Sequence, residues 1–124
     1  YQKWGTKPYP RDSYPVLEKA ILIDQELALR SASWGLGQIM GFNFSMVGYK
    51  SAQEMVEHFK LDEENHLVAM IKFIIAAGLD DELRRHDWDG FARGYNGPGF
   101  AANKYDIKLA AAYQRWMNIK DTPL

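Results

Sequence analysis

Cysteine is missing from this chain altogether, which excludes a disulfide framework, a thiol nucleophile and a cysteine-based zinc site. Long hydrophobic runs are missing too. No stretch approaches the roughly 18 apolar residues that a membrane-spanning helix needs, and no signal peptide is present. An excess of either charge is also lacking, with 15 Lys and Arg against 16 Asp and Glu. A net charge of −1 exerts no strong pull on a polyanion. The charges are uneven, three basic to eight acidic over 31–83 and seven to three over 84–120. The basic end is nevertheless too sparse for a nucleic-acid interface. Neither nucleic acid nor membrane is expected as a partner.

Several chemical signatures are absent as well. The three histidines, His58, His66 and His86, form no His-Glu-x-x-His motif. Glu63-Glu64-Asn65-His66 holds one Glu-x-x-His, the spacing of carboxylate-bridged di-iron sites, but that site needs a second copy and further glutamates. No metal is expected. Phosphate loops and Gly-x-Ser-x-Gly elbows are lacking too, so no cofactor is expected.

What remains is an ordinary globular composition, 47% hydrophobic and 25% charged, in 124 residues. That length suits one domain with one core, spanning 1–124. No segment alternates with period two, whereas several repeat with helical period, so the class is all-α. After an irregular lead-in over Tyr1–Asp12, Ser13 and Pro15 mark a helix start. The stripe Val16, Ala20, Ile23 and Leu27 carries that helix to about Arg30. Ser31–Gly41 holds three glycines and reads as a loop entering a short helix that bears Gln38. Ser51 and Glu54 form a capping box for a helix to about Phe59. Asp62 caps the most apolar segment, where Leu67, Met70, Ile71, Ile74 and Ile75 form one face and Val68 and Phe73 a second. Gly78 closes it. Apolar on most sides, this helix is predicted to be the buried centre. A short helix from Asp80, another over Trp88–Tyr95, and a last one striped by Tyr105, Leu109, Ala112, Tyr113 and Trp116 complete the chain.

Two segments are hard to explain by packing alone. In Ser33-Trp34-Gly35-Leu36-Gly37-Gln38, glycines mark close approach to the backbone, and the Gln38 amide suits hydroxyl and acetamido groups. A tight helix crossing with a solvated Gln38 explains it as well. In Phe91-Ala92-Arg93-Gly94-Tyr95-Asn96-Gly97-Pro98-Gly99, a stiff turn pins the Tyr95 and Asn96 side chains at a helix end, as a sugar site requires. An ordinary helix stop is the plainer reading.

Together these strings resemble the N-acetylmuramidase domain of phage endolysins and prophages, within the lysozyme-like and lytic-transglycosylase superfamily. Ser31–Gly35, Gln38-Ile39-Met40-Gly41-Phe42-Asn43, Phe91–Gly99 and Tyr105–Tyr113 carry the likeness, in one order along nearly the whole chain. The resemblance implies a lysozyme-like helical fold around a buried central helix and cleavage of the β-1,4 bond between N-acetylmuramic acid and N-acetylglucosamine. It also implies a phage or prophage product made in the bacterial cytoplasm and acting on peptidoglycan strands at the cell wall. Ser33, Gln38, Tyr95 and Asn96 are the expected glycan contacts, converging in one cleft.

The resemblance exposes a gap. The family's general acid is expected in a Val-Glu-Ser-type helix, upstream of the region this chain covers, and residues 1–13 hold no glutamate. With Tyr1 in place of Met, the expectation is the C-terminal part of such a domain, lacking its acid-bearing segment. The alternative is an acid supplied from within: Glu18, 20 positions before Gln38 and near the lytic-transglycosylase spacing, or Glu26, 12 positions before it. A solvated carboxylate on an amphipathic helix is the plainer reading of both. Three functions follow: a muramidase, a glycan-binding remnant without the acid, or a purely structural helical domain.

Overall fold

The structure is a computed structural model that describes residues 10–119, so most of the irregular lead-in lies outside the described residues. The chain divides into two compact units between Lys72 and Phe73.

The first unit opens with α1 (Tyr14–Ile21) and α2 (Gln25–Arg30) where the sequence predicts one helix. The apolar stripe does continue across the break. What interrupts it is Asp24, whose backbone is extended and whose carboxylate accepts a hydrogen bond from the Leu27 amide at 2.9 Å. A short acid that can cap the next turn competes with the helix it would otherwise continue. At the start of α1 the expected cap is also reassigned. Ser13 makes no side-chain cap bond, and the Asp12 carboxylate takes the Tyr14 amide instead.

Ser31–Gly41 is not a loop entering a helix. It holds an antiparallel hairpin, β1 (Ser33–Trp34) and β2 (Ile39–Met40), with Ser33 opposite Met40 and Trp34 opposite Ile39. Two-residue strands are too short to leave an alternating pattern. A 3-10 turn over Gly41–Asn43 follows. Gly41 is required there by close approach, because a Cβ would stand 2.0 Å from the Leu29 carbonyl oxygen. The crossing at Gly41 is therefore backbone against backbone.

α3 (Ala52–Phe59) begins at the predicted Ser51, which accepts the Glu54 amide at 3.0 Å. The reciprocal arm lands one residue early, the Glu54 carboxylate taking the Lys50 amide. Leu29, Ala52 and Val56 are buried together, with Ile21, Trp34 and Phe44 packed against them. Met55 and Val47 are fully enclosed.

α4 (Glu63–Ala76) begins after Asp62, whose carboxylate takes the Glu64 amide, and ends where Leu79 donates to the Ile74 carbonyl. It is not the buried centre the sequence predicts. Ala69 and Ile74 are buried, but Leu67 is 47% exposed and Ile71 55%. His66, Ala69, Met70, Phe73 and Ile74 share the enclosed face, while Leu67, Val68, Ile71 and Ile75 line the open one. Hydrophobicity marked both faces; packing encloses one.

In the second unit, α6 (Trp88–Asn96) packs on α5 (Asp80–Arg85) and α7 (Tyr105–Ile119), with a 3-10 turn over Phe100–Asn103. Leu79, Phe91, Ala92 and Phe100 are buried. Among the described residues no helix is long and apolar enough to cross a membrane.

Candidate functional site

The hairpin positions two of the four expected glycan contacts. Gln38 lies in its turn, not on a helix, and holds the left-handed φ of +50° that non-glycine residues seldom adopt. Its side chain is fixed at both ends: Ser33 Oγ donates to Oε1 at 2.9 Å, and Nε2 donates to the Gly35 carbonyl at 3.1 Å. One amide hydrogen of Gln38 and the lone pairs of Ser33 Oγ stay outward for another partner. Strain at an exposed polar residue, held by its own hydrogen bonds, is the usual mark of a preformed contact point.

Both side chains line a groove of about 760 Å³ walled by Ser13, Val16 and Ala20 from the α1 side and by Ser31 and Met40 from the hairpin side. Hydroxyls on an apolar floor suit a pyranose, with its polar rim and apolar faces. The Ser13 and Ser31 hydroxyls were not foreseen; small polar residues beside a helix read as caps until the groove joins them. Trp34 does not offer a free indole edge, since its Nε1 donates to the Leu29 carbonyl at 2.8 Å and its ring closes on the core.

Tyr95 and Asn96 end α6 in the second unit. The Tyr95 ring stacks on Phe91 at 5.4 Å and meets Phe73 edge-on at the same distance. Burial pushes its phenol up from the ordinary value, so the hydroxyl keeps its proton at neutral pH. Asn96 is exposed, and Gly97, at φ +82°, turns the chain away. Ser33 and Gln38 are thus brought together in one unit, and Tyr95 and Asn96 stand adjacent in the other.

The two internal carboxylates offered as acids have other surroundings. Glu26 accepts from the Ala52 amide at 2.9 Å, the Gln53 amide at 3.1 Å and Arg30 Nε at 2.9 Å. Burial raises its pKa, but the Ala52, Arg30 and Gln53 hydrogen bonds, with the Arg30 charge, outweigh burial and leave it below 4.5. A carboxylate that caps the first turn of α3 while ionised is the reverse of a proton donor. Glu18 is exposed and lines a separate pocket of about 360 Å³ with Tyr14, Trp34, Phe59, Lys60 and His66. No Asp or Glu among the described residues is buried. Glu63-x-x-His66 holds no metal cluster either; among the described residues no group of three or more His, Asp or Glu is so placed.

The N-acetylmuramidase family model matches residues 2–117. The chain belongs to that family. Its structure superposes on the crystal structure of the Burkholderia AP3 phage endolysin with a TM-score of 0.79 and 35% identity. The superposition covers 92% of this chain and 44% of the endolysin, so the chain spans less than half of that protein's length. None of the curated proteins compared matches the chain significantly. The lysozyme-like helical fold expected from the sequence is therefore present, with α4 less enclosed than foreseen.

Proposed function

We propose that this N-acetylmuramidase-family chain grips the glycan strand of peptidoglycan so that the β-1,4 bond between N-acetylmuramic acid and N-acetylglucosamine is cleaved, in phage or prophage-driven wall degradation. The observation that carries this reading is the Ser33–Gln38 pair, locked at 2.9 Å on a strained turn and lining a groove of sugar-binding size. Tyr95 and Asn96, at the end of α6 in the second unit, are the further glycan contacts in this reading.

Cleavage needs a proton on the leaving oxygen while positive charge builds on the departing ring. A carboxyl donates it near neutral pH when an apolar surrounding raises its pKa. Glu26 is held in the opposite sense, and Glu18 lies exposed beside a different pocket. Neither is placed as the proton donor, and the role of Gln38 in this reading is to orient the sugar in the groove.

A second reading, a glycan-binding unit without its own acid, is favoured because no Asp or Glu residue among the described residues is buried, although the Glu82 Oε2 atom on α5 is enclosed without a hydrogen-bond partner. Purified sacculi separate the two. Clearing with release of disaccharide-containing fragments supports the enzyme; co-sedimentation without clearing supports the binding unit. Neither binding nor clearing by the chain overturns both.

A further inference from the structure

His66 is the side chain that joins the hairpin to the rest of the first unit. Its Nδ1 lies 3.3 Å from the Leu36 amide nitrogen and its Nε2 lies 2.8 Å from the Phe59 carbonyl oxygen. Chemistry fixes the tautomer. An amide N–H can only donate, so Nδ1 must be the bare, accepting nitrogen; a carbonyl can only accept, so Nε2 must carry the hydrogen. Only the neutral imidazole satisfies both. The ring also supports the turn directly: a Cβ on Gly35 would stand 3.0 Å from the Phe59 ring and 3.1 Å from His66. The Phe59 and His66 rings are 4.7 Å apart between centroids.

We infer that His66 is a positioning residue whose neutral form holds the Ser33–Gln38 turn in its gripping shape, and whose protonation releases it. The functional consequence rests on the glycan-gripping reading above; the coupling of His66 to the turn does not. A proton on Nδ1 sets a donor against the Leu36 donor, and the bond that tethers the turn is lost. Leu36 lies between Gly35, whose carbonyl holds the Gln38 amide side chain, and Gln38 itself. Loss of the tether therefore reaches the contact residues within two positions. The charged groups that share the pocket with His66 are Glu18 from α1 and Lys60 at the end of α3, one of each sign. Glu63 lies one turn earlier on α4 itself, and the hairpin segment 33–38 carries no charge. Histidine changes charge between about pH 5 and pH 8.

The test is nuclear magnetic resonance of the full chain, titrated over that range, with chitotetraose as the glycan probe. The imidazole nitrogen shifts of His66 should report the Nε2–H tautomer at the upper end. As it protonates, exchange of the Leu36 and Gln38 amides should quicken about tenfold beyond the intrinsic pH effect, and chitotetraose should bind about tenfold more weakly. His66→Gln keeps a donor and an acceptor but takes no proton, so it should bind as the neutral wild type does and lose the pH dependence. His66→Ala should bind weakly at every pH. The inference is overturned if the Leu36 and Gln38 amides ignore the protonation of His66, or if the Nδ1–H tautomer is found. Coupled titration with no chitotetraose binding at any pH leaves the clamp standing and sinks the glycan reading instead.

Discussion

The two compact units lean on different contacts, although the first also holds the Tyr49–Phe59 and Phe59–His66 ring pairs. The first is bracketed by side-chain hydrogen bonds, two of them between distant segments, Glu26 to the start of α3 and His66 to Leu36, and others nearer in sequence, Trp34 to the Leu29 carbonyl, His66 to Phe59 and Asn65 to the His58 carbonyl. The second is built on rings. Phe73, Phe91 and Tyr95 form one set, His86, Trp88 and Tyr113 another, and Arg93 lies over Phe100. Hydrogen bonds fix direction to within tenths of an ångström, whereas ring contacts tolerate sliding at little cost. The Ser33–Gln38 turn is held by the first kind, and the Tyr95 ring at the end of α6 by the second.

If that contrast is real, substitutions should be punished unequally. The largest effect is expected for Gly41→Ala. Its Cβ meets the Leu29 backbone, which cannot move aside as a side chain can, so urea denaturation should show a loss of about 3 kcal/mol. A loss under 1 kcal/mol would mean the hairpin is not seated on α2 as described.

Glu26→Gln comes next, with an expected loss of about 1 kcal/mol at neutral pH, since the amide still accepts weakly but the charge at the start of α3 is gone. The folded-state value of Glu26 is lowered, so its contribution is full above the ordinary 4.5 and fades as pH falls through the lowered value. The wild type should therefore lose stability in acid more steeply than the variant, and the two denaturation midpoints should converge. Sacculus clearing, per folded molecule, should survive this change; its abolition at unchanged stability would make Glu26 the acid after all.

Gln38→Gly is a sharper probe of the first unit, because it removes the side chain while relieving the positive φ. Stability should hold within about 0.5 kcal/mol while glycan binding falls about tenfold, the worth of one good hydrogen bond. In the second unit, Tyr95→Phe keeps the ring stack and removes only the hydroxyl, and in the glycan reading clearing should slow about tenfold per folded molecule. Equal clearing by the variant would remove Tyr95 from the glycan contacts. The smallest effect is expected for Arg85→Ala. Its pairs with Asp81 and Glu82 are on the helix surface, and such pairs contribute about 0.5 kcal/mol or less.

How much of this the sequence shows depends on the range of the interaction. Local devices are legible: Ser51 and Asp62 open helices and Gly78 closes one because each acts within four residues. The break at Asp24 is hidden, since the apolar stripe runs through it and only the cap geometry interrupts. The hairpin is hidden because two-residue strands have no period. The open face of α4 is hidden for a different reason, because hydrophobicity records what a residue tolerates and not which neighbours reach it. Ser33 and Gln38 could be picked out from the glycine-rich string, but their mutual hydrogen bond could not. His66 gave no local signal at all, its partner Leu36 being 30 positions away.

The Glu26 bracket has one more consequence, for where the chain can change length. By tying residue 26 to residues 52 and 53, it pins both ends of the segment that contains the hairpin, independently of what lies between. Closing a loop depends only weakly on its size, each doubling costing about 0.6 kcal/mol. Ser45 and Met46, exposed at the tip between the 3-10 turn and α3, are therefore the place where a few residues could be added at small cost. Relatives that differ in length should differ there, while the spacing from Ser33 to Gly41 stays constant.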